Sequence, residues 1–124
     1  MTPPRSNFDV PIVHKITGLY KNIYRLGGKI PKRDKFGIHL KVENICLDIL
    51  TIAIDAALAQ KDKKRVLLHE LRVRVETLKQ LIRLMNELNI IEAKVYIFLE
   101  AQLQEISKMA AGWIKYLDTE KRIV

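Results

Sequence analysis

The sequence predicts an all-α protein, an up-down-up-down four-helix bundle, and three observations carry that prediction. Helix breakers are confined: of 5 Gly and 4 Pro in 124 residues, only Gly112 lies beyond Gly37, so little interrupts a long helix. Four segments repeat apolar residues at spacings of three and four, the mark of one buried face on a helix. The connections between them are short, as antiparallel neighbours require. One domain with one core fits this length, and residues 1–124 are read as a single unit.

The first helix is expected over residues 10–28, with Asp9 just ahead of it and Pro11 suited to its first turn. Ile12, Ile16, Leu19, Ile23 and Leu26 form one face, which Val13, Tyr20 and Tyr24 widen. Lys21, Arg25 and Lys29 recur four apart on the other side. Gly27-Gly28 ends the helix and leads into a basic connection, Pro31-Lys32-Arg33-Asp34-Lys35-Phe36.

The second helix, residues 36–60, has two apolar faces. Ile38, Val42, Ile45, Ile49, Ile52 and Ala56 make one, and Leu40, Leu47, Leu50, Ile54 and Leu58 make another roughly opposite. Lys41, Asn44, Asp48, Thr51 and Asp55 fill a narrow polar sector between them. A surface helix needs one apolar stripe. Two stripes imply a helix sandwiched within the domain or a contact with another subunit. Each helix of a four-helix bundle keeps an outer face, which favours the subunit contact.

Lys61-Asp62-Lys63-Lys64 is expected to be a charged turn into a third helix, residues 64–88, with Leu67, Leu71, Val75, Leu78, Ile82 and Met85 inward. Arg65, Arg72, Lys79 and Arg83 follow one line beside that face, with Glu76 and Glu87 close enough to offset it in part. Asn89 marks a break before the fourth helix, residues 91–117. Val95, Leu99, Leu103, Ile106, Ala110, Trp113 and Leu117 are its expected core positions.

The formal net charge of +8 and a pI near 9.7 point to an anionic partner, nucleic acid before an acidic membrane surface. The one cysteine, Cys46, lies in an apolar run and reads as a small buried residue; no disulfide framework is available within the chain. Met1 to Asn7 lacks the apolar run of a signal peptide, and charges interrupt every long apolar stretch. The expected compartment is the cytoplasm, with no membrane partner.

Catalytic chemistry finds no support. His14, His39 and His69 fall on three different helices without a second ligand at metal spacing, and each reads as a solvated or satisfied structural histidine. Inward positions are apolar, unlike those of a di-iron bundle. Ser107 lacks a nucleophile-elbow context, and Gly27-Gly28-Lys29 lacks P-loop spacing. No enzyme, metal or cofactor is expected. The basic patches remain: Lys21, Arg25 and Lys29; Lys32, Arg33 and Lys35; and Arg65, Arg72, Lys79 and Arg83. Tyr20, Tyr24, Tyr96 and Tyr116 lie near apolar faces and are expected in the core, so binding through backbone charge and shape is anticipated. Gly112, beside Trp113, costs about 1 kcal/mol of helix propensity against Ala. That points to close helix approach, inside the bundle or between subunits.

Taken together in order, several segments resemble the accessory variability determinant (Avd) family of diversity-generating retroelements. They are Ile30 to Phe36; Gly37 to Asn44 with Val42-Glu43-Asn44; Leu78 to Leu84; Glu87-Leu88 with Ile90; and Ile106 to Leu117 with Gly112-Trp113-Ile114-Lys115. The resemblance runs from about Ile12 to Leu117 and extends to the wider four-helix-bundle group encoded by intervening sequences of 23S ribosomal RNA. Ala110-Ala111 departs from it, since a larger residue and a second Gly are expected there. The resemblance implies a non-catalytic homopentameric barrel that binds the element's reverse transcriptase and its template RNA, or an RNA/DNA hybrid, during mutagenic cDNA synthesis. Five copies would gather about +40 on one particle, an electrostatic sink for RNA. Within that reading RNA contacts are expected at Arg72, Lys79 and Arg83 first, because the third helix carries the cleanest basic line, with Arg65 on the same line. Lys32, Arg33 and Lys35 follow, then Lys21 and Arg25. Gly112, Trp113, Leu47, Leu50 and Ile54 would serve packing and assembly. The alternative is an intervening-sequence protein with an RNA-associated or scaffold role and no polymerase partner; a scaffold that binds protein alone is a third.

Overall fold

The computed structural model describes residues 10–123; Asp9 and the segment from Met1 to Asn7 lie outside the described residues. Helix α1 spans Pro11–Leu26 and tightens into a 3-10 turn, Gly27–Lys29. A single-turn helix α2, Lys32–Lys35, precedes α3, Ile38–Leu58; α4 covers Lys61–Glu87 and α5 covers Ala93–Ile123. The four long helices pack each against its neighbours in sequence, and α1 closes the ring on α5. The arrangement is the expected four-helix bundle, with α1 and α4 on its diagonal. No strand occurs among the described residues.

The core follows the predicted periodicity closely. Ile12, Ile16, Leu19 and Ile23 of α1 are buried, as are Val42, Ile45, Ile49, Ile52 and Ala56 of α3. On α4, Leu68, Leu71, Val75, Leu78 and Ile82 have no exposed surface, and burial of each such side chain contributes roughly 1.5–3 kcal/mol. Leu26, Ile38 and Val95, expected inside, are half-buried at the edge of the core, and at two further positions a neighbour takes the buried place. Leu68 takes the core site assigned to Leu67, which is half-buried at the rim. Both leucines step onto Leu71, by three or by four, so the sequence alone leaves a tie. Ile114 is buried where Trp113 was expected; the indole is half-buried and packs across the boundary between the main core and a smaller cluster of Ala56, Leu68, Ile114 and Leu117.

The connections are shorter than the charges suggested. Lys61 to Lys64 is the first turn of α4 rather than a loop, which leaves Ala59 and Gln60 to join α3 to α4. Asp62 suits the positive end of the helix dipole. The Lys64 Nζ turns back to donate to the carbonyl oxygens of Ala56 at 2.8 Å and Ala57 at 3.0 Å, filling acceptors that the end of α3 leaves open. The same ammonium lies 5.8 Å from the Trp113 ring centroid. The charged run is therefore a helix clamp.

Asn89 does break the chain as predicted. It adopts φ 61° and closes a Schellman turn: the Ile90 N–H donates to Met85 O at 2.8 Å and the Asn89 N–H to Asn86 O at 3.0 Å. Helix α5 continues past Leu117, the expected end of the fourth helix, to Ile123.

Candidate nucleic-acid interface

One basic surface is built by the segment that joins α1 to α3, and four local features fix it. Ile30 anchors it in the core at 7 % exposure. The Pro31 carbonyl accepts the N–H groups of Asp34 and Lys35 at 3.0 and 2.8 Å, which starts the single turn of α2. Gly37 ends it: a Cβ there would lie 2.8 Å from the Arg33 carbonyl oxygen, an immovable backbone atom. The Gly37 carbonyl then accepts the Lys41 N–H at 3.2 Å and opens α3.

Lys32, Arg33 and Lys35 stand outward from this fixed turn. Arg33 touches only the neighbouring Asp34, at 3.4 Å, and its side chain is 90 % exposed. Lys35 lies over the Phe36 ring at 5.8 Å. Lys21 and Arg25, one turn apart on α1, are exposed and have no ion-pair partner among the described residues, and the same holds for Lys29 and Lys32. Arg25 and Lys35 border one cavity, so the structure merges two of the basic groups recognised in the sequence.

The line on α4 is more heavily offset. Arg65 pairs with Asp118 of α5 at 2.8 Å. Lys79 pairs with Glu76 at 3.2 Å, with its side chain only 14 % exposed, and Arg83 lies 4.0 Å from Glu87. Arg72 is exposed and without an ion-pair partner among the described residues. Arg74, which the sequence reading passed over, bridges Asp48 of α3 and Glu70, each at 3.5 Å. Because α4 is diagonal to α1, its outer line faces away from the Lys21–Arg25 face.

Exposed aromatics correct the sequence expectation. Tyr24 and Tyr116 are each 64 % exposed, not core, while Tyr20 and Tyr96 are half-buried. Phe36 and Phe98 are exposed too. Tyr20 and Tyr24 fill adjacent turns, with ring centroids 6.2 Å apart. Flat surfaces for stacking are thus present beside the cations, which the periodicity alone concealed because both tyrosines fit the edge of the apolar face.

His39 is also corrected. It is 1 % exposed, and neither ring nitrogen has a hydrogen-bond partner; Glu43 Oε1 is 3.9 Å from Nε2. Burial is the main cause that lowers its pKa, with Lys35 adding and Glu43 opposing. Burial alone pushes the Cys46 thiol up to about 12, so it behaves as the expected inert apolar residue. Among the described residues no group of His, Cys, Asp and Glu could hold a metal ion, and no helix is long and apolar enough to cross a membrane.

The packing candidates divide. Leu47 is exposed, Leu50 and Ile54 are half-buried, and with Leu40 and Leu58 they leave the second face of α3 uncovered in the single chain. A Cβ on Gly112 would meet nothing within 4 Å, so this glycine does not serve close approach inside the bundle.

A family model described as bAvd-like matches residues 10–117. The chain belongs to the bAvd-like family. The match covers both the basic turn after α1 and the Gly112-Trp113 segment of this Avd-type protein, and so agrees with the resemblance drawn from those residues. Comparison with curated proteins finds no match for this bAvd-like chain.

Proposed function

We propose that this bAvd-like protein is a non-catalytic accessory subunit of a diversity-generating retroelement. It assembles through the second apolar face of α3 as a homopentamer and binds the element's reverse transcriptase and template RNA. The observation that carries the reading is the cationic end formed by Lys21, Arg25, Lys29 and Lys32, without ion-pair partners among the described residues, and by the exposed Arg33, which meets only its neighbour Asp34, on a bAvd-like bundle. Such a surface engages phosphates through counterion release, and its affinity falls steeply with salt. The uncovered leucines of α3 support assembly, because contiguous exposed apolar surface marks interaction sites. Arg72 supplies a second contact on another side of the subunit, and in a ring of copies both surfaces repeat.

Affinity purification from the native host tests this, with mass spectrometry of bound protein and sequencing of bound RNA. A reverse transcriptase together with one discrete element-encoded RNA is the expected outcome. Ribosomal RNA precursors without a polymerase would replace it with the intervening-sequence reading, and protein partners without RNA would leave a scaffold.

A further inference from the structure

The cationic end contains a recess with unusual chemistry. A cavity of about 430 Å³ opens between the end of α1 and the start of α3, bordered by Tyr24, Arg25, Gly27, Gly28, Lys35, His39 and Glu43. Its size falls within the roughly 300–1,000 Å³ usual for small-molecule sites. His39 is 1 % exposed, with both ring nitrogens unpartnered. Buried polar atoms in folded proteins nearly always have partners, and an exception calls for a ligand, a water or a functional reason.

The lining narrows what the ligand is. Arg25 and Lys35 call for an anionic group. Glu43, its side chain 18 % exposed, can only accept when ionised, so it calls for N–H donors on the same ligand. Tyr24 offers a flat face at 64 % exposure. Gly27 lies against the imidazole, its Cβ position 3.4 Å from His39 Nε2. Gly28 leaves its side of the cavity clear, with nothing within 4 Å of the Cβ position. An anion, an aromatic plane and N–H donors together describe a nucleotide. Guanine alone among the RNA bases presents two adjacent N–H donor groups on its Watson–Crick edge, which one carboxylate can accept together.

We infer that this cavity is a binding site for an unpaired guanine nucleotide of RNA. Tyr24 stacks on the base, Glu43 accepts the N–H groups of its polar edge with the His39 ring packed behind the carboxylate, and Arg25 and Lys35 hold the phosphate. The inference rests on the RNA-binding reading and deepens it: charge draws the strand to this end of the bundle, and the cavity selects one base.

The full chain is titrated with guanosine 5′-monophosphate, adenosine 5′-monophosphate and inorganic phosphate, followed by NMR at the Gly27 and Gly28 amides and the His39 ring. Single-stranded oligouridine with one central G or A is titrated in parallel by fluorescence anisotropy. Saturable shifts with about a tenfold preference for guanosine over adenosine monophosphate are expected, and the same preference for the G-bearing strand. Both are lost in Y24A and in E43Q, checked for fold by circular dichroism; Tyr24 is exposed, so Y24A remains informative if E43Q unfolds. Equal shifts with inorganic phosphate, or an unchanged G preference in the folded variants, would overturn the site and leave general RNA binding intact. Guanosine monophosphate binding without any binding of the oligonucleotides would keep the site and remove the RNA reading on which it was placed.

Discussion

Replacement of Lys32 and Arg33 by alanine gives the sharpest test of which cations meet RNA. Both side chains project from the one-turn helix α2, Arg33 with 90 % of its side chain exposed and only Asp34 nearby. Exposed pairs of this kind contribute little to stability, and alanine keeps helix propensity, so the fold should be retained. Each phosphate contact on a single strand contributes about 0.7 to the slope of log K against log salt. Two contacts then account for about 1.4, and the wild type should lose roughly sevenfold more affinity than the double variant between about 50 and about 200 mM salt. Lys79 is the built-in comparison. Its ammonium is held 3.2 Å from Glu76 and its side chain is 14 % exposed, so K79A should leave the slope nearly unchanged. Anisotropy titrations of a single-stranded RNA over a salt series read both slopes. An unaltered slope in the double variant, or an equal fall in K79A, would refute the assignment of RNA contact to the α1–α2 end over the α4 line.

Three further outcomes follow from the geometry. K64M removes two ammonium–carbonyl bonds at the end of α3 and should cost about 2 kcal/mol in urea denaturation, after allowing for partial solvent replacement; a result within about 0.5 kcal/mol of the exposed control K63M would show that the clamp is not stabilising. N89A replaces a side chain that tolerates the left-handed region by one that does not, at φ 61°, and should destabilise by about 1 kcal/mol, whereas N89G should be close to neutral; equal effects would contradict the Schellman assignment. His39 has its pKa lowered from 6.5 by burial, with Lys35 adding and Glu43 opposing. The unfolded chain therefore takes up its proton first, and stability should fall as pH drops from 6.5 towards the lower folded value. Urea midpoints of wild type and H39F, measured across that window, should differ in slope, and parallel pH profiles would count against a buried neutral imidazole.

The helices, most of the core and the family were legible in the sequence, because an apolar repeat at 3.6 residues and a motif such as Ile30 to Gly37 are properties of short contiguous segments. The two-faced composition of α3 likewise announced a surface that one bundle leaves uncovered. The sequence could not choose between Leu67 and Leu68, or between Trp113 and Ile114, since adjacent apolar residues satisfy the same period and only the packing of neighbouring helices decides which turns inward. It could not show that Asp118 neutralises Arg65, that Lys64 caps α3 and underlies Trp113, or that α1 and α3 bury His39 beside Glu43 without a hydrogen-bond partner. Periodicity reports on one helix at a time. Charge pairing, solvent exclusion and the cavity at the end of α1 depend on distances between side chains of different elements, and those exist only once the bundle has closed.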